Sequence, residues 1–508
     1  MHPRLLFIGL ISLLLSSSEL SQISVLPDNK EILYSGRMSF ADPLNPTFSI
    51  SASGFSFNFD GSSITGRFST EGGSSYLYVI VDGQADPKHR NIIEVTSLNE
   101  KTYTIAEHLK AGKHSIQVVK LNESDTKLTF HGLVFSGSKI LSKPKRKPLQ
   151  LEFVGDSNTA GWSAWDAYDS GGNENSGAYF TFPGLTAKML NAEYSLVGGS
   201  SSGVTDKAYW NLTKAYDRIH LKDSDEDLNR WDFQNNYWDF KADAVIVNLG
   251  ANDYYGQASK EEIMEGWKVL IDQKIRLNYP DTHIVLVNSY GWAYNEPADY
   301  VGDLVSFYKA KGDTNISYVL FPWLWGQTHA VVNEHAGFAN ILAAHLADKL
   351  NLASPSLSSL SSFTTSGKVY NGSFEKGLIE GTADGWRPHG TCAMLKSKET
   401  AYKGEHVMRL SNKGWINYPV SVETGMKLKL SAYVRAEQSL QNGYIKLVFK
   451  DQAQKTIQSK QIQFQAKPKW RKQELVAEVP SNTWSAWVVL ESGDKAVIDI
   501  DDVQMTIL

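Results

Sequence analysis

Cysteine is nearly absent from this chain: Cys392 is the single one in 508 residues. No intramolecular disulfide is therefore possible, and no cysteine near the N-terminus is present to carry a lipid. An excess of positive charge is lacking too. The formal net charge is −5, with 50 Lys and Arg against 55 Asp and Glu, and phosphate binding needs a basic face, which argues against a nucleic-acid partner. Long apolar runs are missing, apart from Leu5 to Leu15. That run follows Arg4 and precedes Ser16-Ser17-Ser18, the order of a secretory signal peptide, and is too short to span a bilayer comfortably. Residues 1–21 are assigned to it, and the mature protein is expected to be exported (extracellular or periplasmic), soluble, monomeric and without a membrane partner. Aromatic rings, by contrast, are abundant, with 14 Trp and 23 Tyr. They can stack on sugars, but large aromatics also fill cores.

The length exceeds what one hydrophobic core organises. From residue 22 to residue 142 short alternating runs, such as Phe55-Ser-Phe-Asn-Phe59 and His114-Ser-Ile-Gln-Val-Val-Lys120, lie between Gly, Asp and Asn, the texture of a β-sandwich. Lys143-Pro-Lys-Arg-Lys-Pro148 reads as a solvated, stiff connector. Over residues 149–352 the texture changes. Short apolar runs (Leu149 to Val154, Ala244 to Leu249, Ile284 to Asn288, Tyr318 to Phe321) alternate with helical spacing over Glu261 to Leu277 and Glu334 to Leu350. That pattern predicts an α/β/α domain with a parallel sheet covered on both faces. Residues 353–367 are Ser-rich and read as a linker. β texture returns over residues 368–508, a second sandwich.

The chemistry-bearing segments sit in the middle domain. Gly155-Asp156-Ser157 follows the first apolar run directly, where an open α/β sheet places its chemistry. Ser157 would open the next helix, with an amide available to a developing oxyanion. Gly198-Gly199-Ser200-Ser201-Ser202-Gly203 offers flexible backbone amides. Gly250-Ala251-Asn252-Asp253 puts an amide side chain at another strand end, and His329 lies just ahead of the last helix. A serine, an amide turn, an Asn and a late His are the parts acyl transfer requires. Two rival readings attach to the same residues. Gly199-Ser200-Ser201-Ser202-Gly203 also fits the G-x-S-x-G nucleophile elbow, with Ser201 as nucleophile. His329 and His335 could be metal ligands, but their spacing does not put them on one helix face; His335 is expected to be a buried, hydrogen-bonded helix histidine. Asp156 and Asp253 are expected to brace loops through side-chain to backbone hydrogen bonds.

These four blocks, in this order, resemble the SGNH (GDSL) hydrolase superfamily. The resemblance implies Ser157 as nucleophile, His329 as base, and an oxyanion hole made by the amides of Ser157 and Ser201 and by the side chain of Asn252. Ser201 stands where the superfamily usually has Gly. With the N-terminal sandwich and the segment Leu109-Lys-Ala-Gly-Lys-His-Ser-Ile-Gln-Val-Val-Lys120, the first 350 residues are similar to carbohydrate esterase family 2. That family pairs a jelly roll with an SGNH domain and deacetylates plant polysaccharides. One departure is plain: members usually carry Asp three residues before the histidine, and here that position is Gly326. The resemblance therefore implies a Ser157–His329 dyad, with Nδ1–H held by a main-chain carbonyl between Trp323 and Gly326; a remote Asp completing a triad is the alternative. Trp323 and Trp325 are candidate sugar-binding residues. Neither metal nor organic cofactor is called for.

Tyr370-Asn-Gly-Ser-Phe-Glu375, Gly385-Trp386, Leu430 to Arg435 and Ile500-Asp-Asp-Val503 resemble carbohydrate-binding sandwiches of the family 4/9 type. Trp386, Trp415, Trp484 and Trp487 are candidates for a stacking surface or for core, and Asp501 and Asp502 for a structural calcium site. The whole resemblance implies a secreted serine esterase that removes O-acetyl groups from polysaccharide or oligosaccharide. A lipid or thioester hydrolase of the same superfamily, or an inert glycan-binding protein, are the competing readings.

Overall fold

The computed structural model describes residues 22–123, 126–223, 229–289, 300–322, 328–438, 440–452 and 454–508. The signal-peptide segment and both Trp323 and Trp325 lie outside them. In the N-terminal domain two long strands, β1 (Gly54–Glu71) and β2 (Lys127–Leu141), pair antiparallel and carry the remaining strands on their flanks. Alternate residues of β1 (Phe55, Phe57 and Phe59) point into one aromatic core with Phe68, Phe130 and Phe135, as the period of two requires.

The middle domain is a five-stranded parallel sheet. Its strands are β3 (Leu149–Gly155), β4 (Ala192–Gly198), β5 (Ala244–Asn248), β6 (His283–Ser289) and β7 (Ile316–Phe321), in the spatial order β4-β3-β5-β6-β7. The chain moves to one side of β3 and then to the other, so the switch point, where such sheets bind ligands, lies at the C-terminal end of β3. Both faces of the sheet are covered: Val245 and Val247 of β5 enter one core, Ala244 and Ile246 the other. The strand β4 carries polar Glu193, Tyr194 and Ser195 at its start, which is why no apolar run announced it. The helices of use below are α1 (Ser157–Ala160), α2 (Phe182–Met189), α3 (Ala251–Tyr255), α4 (Lys260–Leu270), α5 (Tyr300–Ala310) and α6 (Val332–Lys349). The Ser259/Glu262 capping box starts α4.

The C-terminal domain is an eight-stranded antiparallel sheet folded on itself, with β8 (Arg387–Lys396) paired to β9 (His406–Ser421). Trp386 is core here, packed between Phe374 and Tyr418. Asp501 and Asp502 do not present a cation site. Asp501 accepts the amides of Tyr402 and Lys403, and Asp502 accepts Lys403 Nζ and Gln504 Nε2, so donors already occupy their oxygens.

The three domains are not beads on a string. The Ser-rich stretch is pinned along α6: Ser358 N–H donates to Asn340 Oδ1 (2.7 Å), Ser362 N–H to Asn333 O (3.0 Å), and Phe363 packs edge-on to Phe338. The basic connector is tied as well, with Arg146 bonded to Tyr34 O and Glu193. Between the first two domains Arg37, fully buried, pairs with Glu152 of β3 at 3.0 Å. It also donates to Tyr216 O and lies among the rings of Tyr216, Trp231 and Phe233. Breaking one half of such a pair strands a charge in the interior. Glu152→Gln should therefore cost about 3–5 kcal/mol, whereas replacing both partners by methionine should recover most of that loss. Urea unfolding followed by Trp fluorescence measures both; a Glu152→Gln protein as stable as the parent contradicts the assignment.

Candidate active site

Ser157 is placed by a short, tightly determined turn. Asp156 caps α1, accepting Asn158 N–H at 3.0 Å. A Cβ on Gly155 would lie 2.0 Å from Thr159 Oγ1, so only glycine lets the strand end pass so close to the helix. Gly161 closes the turn with a left-handed φ of 84°. The Ser157 amide, at the first position of α1, has no acceptor within its own helix.

His329 is brought to this turn by the loop before α6. Its Nε2 lies 2.9 Å from Ser157 Oγ, although 172 positions separate the two in the chain. Asn158 Oδ1 accepts Ala330 N–H at 3.3 Å, tying the histidine loop to the serine turn. His329 Nδ1 lies 2.9 Å from Asp169 Oδ1, and the His329 amide donates to Asp169 Oδ2 at 3.2 Å. The dyad held by a main-chain carbonyl is thereby corrected: a carboxylate takes that place. Because an ionised carboxylate only accepts, Nδ1 carries the proton and Nε2 is left to accept from Ser157 Oγ–H.

Asp169 lies on the loop between α1 and α2. It has φ 53°, a left-handed conformation that Asp tolerates better than most residues. Asp166 shapes that turn, accepting the amides of Tyr168 and Ser170, each at 2.9 Å. The two neighbouring domains reach the same loop. Trp165 Nε1–H donates to Pro87 O of the N-terminal domain at 3.0 Å, with Arg90 over its ring. Desolvation raises the Asp169 pKa, but the His329 hydrogen bond, its charge, its amide and the Arg387 charge outweigh this and hold the carboxyl below its ordinary range. No spacing rule points to Asp169. Only the turn-rich sequence Asp166-Ala-Tyr-Asp-Ser-Gly-Gly172 hints at a structured loop there.

The amides of the turn at residues 198–203 and of Asn252 sort themselves by the acceptors they already have. Ser202 N–H donates to Gly199 O (3.2 Å), Gly199 N–H to Ser202 Oγ (3.2 Å) and Ser200 N–H to Glu123 Oε2 (2.7 Å). Among the described residues the Ser201 amide has no acceptor. Its φ of 63° explains why glycine suits that position. Asn252 spends one amide hydrogen on Ser202 O at 3.0 Å, which fixes the side chain and leaves its second N–H available. Asp253 braces the same loop as expected, accepting Val204 N–H, Thr205 N–H and Thr205 Oγ1. Ser201 is not at an elbow: a two-residue strand follows it rather than a helix, and the histidine is bonded to Ser157.

His335 is buried, as expected, and its ring faces the backbone of Ala330. It packs against Phe182 and Phe338, and desolvation lowers its pKa to about 3, so it stays a neutral core ring. Among the described residues no three His, Cys, Asp or Glu side chains gather as metal ligands, and no helix is long and apolar enough to cross a membrane.

The comparisons agree with this architecture. Residues 34–144 match the carbohydrate esterase 2 N-terminal domain, residues 153–327 the GDSL-like lipase/acylhydrolase family, and residues 366–497 a carbohydrate-binding domain. Fold and site together have the plan that these matches describe, a jelly roll followed by a GDSL-like domain with a parallel sheet, and a segment similar to a carbohydrate-binding domain behind them. Among the relatives is the cellulase/esterase CelE of Acetivibrio thermocellus, 29% identical over 342 residues; the match takes in 64% of this chain and spans 40% of that protein's length. A family two carbohydrate esterase from Clostridium thermocellum, solved in complex with cellohexaose, is 27% identical with a TM-score of 0.56, covering 63% of this chain and 99% of that one. The family two esterase from Cellvibrio japonicus, at 20% identity and a TM-score of 0.58 over 65% of this chain and 98% of that one, shows the shared fold.

Burial pushes the Asp156 carboxyl up to about 7, against the pull of its own backbone hydrogen bonds and the His329 charge. The unfolded chain gives up that proton near pH 4, so stability is drawn down as pH rises from about 4 to about 7 and is level above. Asn caps helices as well as Asp does, so Asp156→Asn keeps the turn and removes the titration. Its melting temperature relative to the parent should be higher at pH 8 than at pH 5; an offset equal at both pH values sinks the assignment.

Proposed function

We propose that this chain is a secreted serine esterase that removes O-acetyl groups from plant-type polysaccharides or their oligosaccharides through an acetyl-Ser157 intermediate. The observation that carries this reading is the line from Ser157 Oγ through His329 to Asp169, with 2.9 Å at each step. Carbohydrate as the class of substrate is supported by the family 2 relatives, one of them solved with cellohexaose, and by the carbohydrate-binding domain at residues 366–497.

In this reading His329 Nε2 takes the Ser157 Oγ proton as the oxygen attacks the acetyl carbonyl carbon. The carbonyl π electrons move onto oxygen, and the resulting oxyanion is met by the amides of Ser157 and Ser201 and the free N–H of Asn252. Preorganised donors in a partly dry site stabilise that charge without reorganising. Asp169 holds the ring in the required tautomer and stabilises the imidazolium that forms. Collapse of the intermediate breaks the bond to the sugar oxygen, which leaves as an alcohol with the proton from Nε2. Water, deprotonated by the same nitrogen, then attacks the acetyl-serine carbonyl; the bond from Ser157 Oγ to the acetyl carbon breaks, Oγ takes the proton back from Nε2, and acetate leaves. Trp323 and Trp325, just ahead of His329 in the chain, are assigned to stacking on the sugar. Export rests on the Arg4, Leu5–Leu15 and Ser16–Ser18 sequence.

Acetate release from acetylated xylan, acetylated mannan and peracetylated glucose tests the whole reading. Ser157→Ala should remove activity, Asp169→Asn should lower kcat by about 10²–10⁴-fold, and Asn252→Ala by about 10²–10³-fold. Ser201→Ala should stay close to the parent, because only its backbone takes part. Activity that survives Ser157→Ala but not Ser201→Ala rejects the proposal, and preference for long-chain acyl or thioesters over sugar acetates would move the substrate to the lipid class.

A further inference from the structure

The strand β8 opens the carbohydrate-binding module, yet its first residue belongs to the neighbouring domain's site. Trp386, just ahead of β8, and Arg387, its first residue, are buried in different places. Trp386 is locked in the module core, its Nε1–H bonded to Asn371 O at 3.1 Å. Arg387, with no exposed surface, enters the catalytic domain. One guanidinium nitrogen, Nη1, donates to Ala167 O at 3.1 Å and faces Asp166 O at 3.5 Å. The other, Nη2, donates to His329 O and faces Glu334 Oε2 at 3.5 Å. Glu334 in turn accepts Val331 N–H at 2.8 Å, at the start of α6 two residues beyond the histidine. One planar fork thus spans the two loops that must meet: the loop of Asp169 and the loop of His329. A second tie lies alongside, from Tyr168 O–H to Cys392 O of β8 at 3.2 Å.

We infer that Arg387 is a positioning residue for the catalytic pair, and hence that the C-terminal module is a structural part of the active site rather than a detachable targeting domain. The inference rests on the esterase reading above. Several observations support rigid placement. The segment joining the module to α6 is bonded along its length, with Ser362 N–H on Asn333 O and Tyr418 O–H on Ser362 O at 2.6 Å. The burial of Arg387 and Glu334 together, each about 1% exposed at the side chain, is sustainable only while the two stay paired and bonded. A lysine in place of Arg387 keeps the charge but lacks the fork that reaches both loops. Nothing in this arrangement requires sugar on the module, so its effect should be felt by any ester.

The test uses the full chain and 4-nitrophenyl acetate, a substrate too small to need the module for capture. Active sites are counted by burst titration, so that unfolded protein does not dilute kcat. Arg387→Met should lower kcat by about 10–100-fold, the cost of misplacing a catalytic group by roughly an ångström, with KM little changed. The downfield Nδ1 proton resonance of His329, which Asp169→Asn should abolish, should shift or broaden, and retardation of the protein in xylan-containing gels should persist. Arg387→Lys should show a smaller fall in kcat and decides the matter if the methionine variant does not fold. Parental kcat and an unmoved Nδ1 proton in a folded Arg387 variant, with Ser157→Ala inactive, overturn the inference and leave the esterase reading intact. Activity surviving Ser157→Ala overturns the esterase reading, and with it the basis of the inference.

Discussion

The hydrogen bond between His329 Nδ1 and Asp169 Oδ1 is the constraint around which the site is built. It decides the tautomer of the imidazole, hence which nitrogen faces Ser157 and, in the esterase reading, whether that nitrogen can take the serine proton. A carboxylate in that position also stabilises the imidazolium far better than a neutral carbonyl would, because the charge is complete rather than partial. What is unusual is the placement of that carboxylate. Gly326 stands three residues ahead of the histidine, and the charge comes instead from a turn twelve residues after Ser157.

Moving the carboxylate to a separate loop transfers the burden of precision to whatever holds that loop. Here it is held from both sides. Pro87 and Arg90 of the jelly roll secure Trp165, Ser176 and Ala164 bond back to the serine turn and the start of α6, and Arg387 of the third domain fastens Asp166, Ala167 and His329. The core on one face of the sheet is correspondingly shared. Ile50, Tyr78 and Leu121 of the first domain pack with Leu151 and Phe153 of β3, and Phe363 and Leu378 lie against the same cluster. Buried ionic and apolar contacts of this kind make the domains one mechanical unit, unlike the polar interfaces that permit domain motion.

Much of this was legible in the chain. Periodicity marks the two β domains and the α/β domain between them, and of the residues that the four separated blocks single out, the fold brings Ser157 and His329 within 2.9 Å. Four features are hidden for physical reasons. The strand β4 begins with polar residues whose burial depends on partners such as Arg146, so its hydrophobic signal is weak. Asp169 touches His329 across 160 positions, and no local pattern encodes a contact closed only by the fold. The Ser-rich stretch has the composition of a loose tether, but Asn333 and Asn340 on α6 supply backbone partners that composition does not reveal. Arg387 escaped for the same reason, since an arginine at the start of a strand carries no mark of the domain it will enter.

The triad itself is tested most directly by covalent trapping. An aryl phosphonate ester is attacked at phosphorus by a serine that an adjacent base deprotonates, the new O–P bond forming as aryloxide leaves, and mass spectrometry of the digested protein reports which serine carries the adduct. A single adduct on the peptide holding Ser157, formed far more slowly in Asp169→Asn, is the expected result. An adduct on Ser201, or labelling of Ser157 at the parental rate once Asp169 has lost its charge, would contradict the arrangement described.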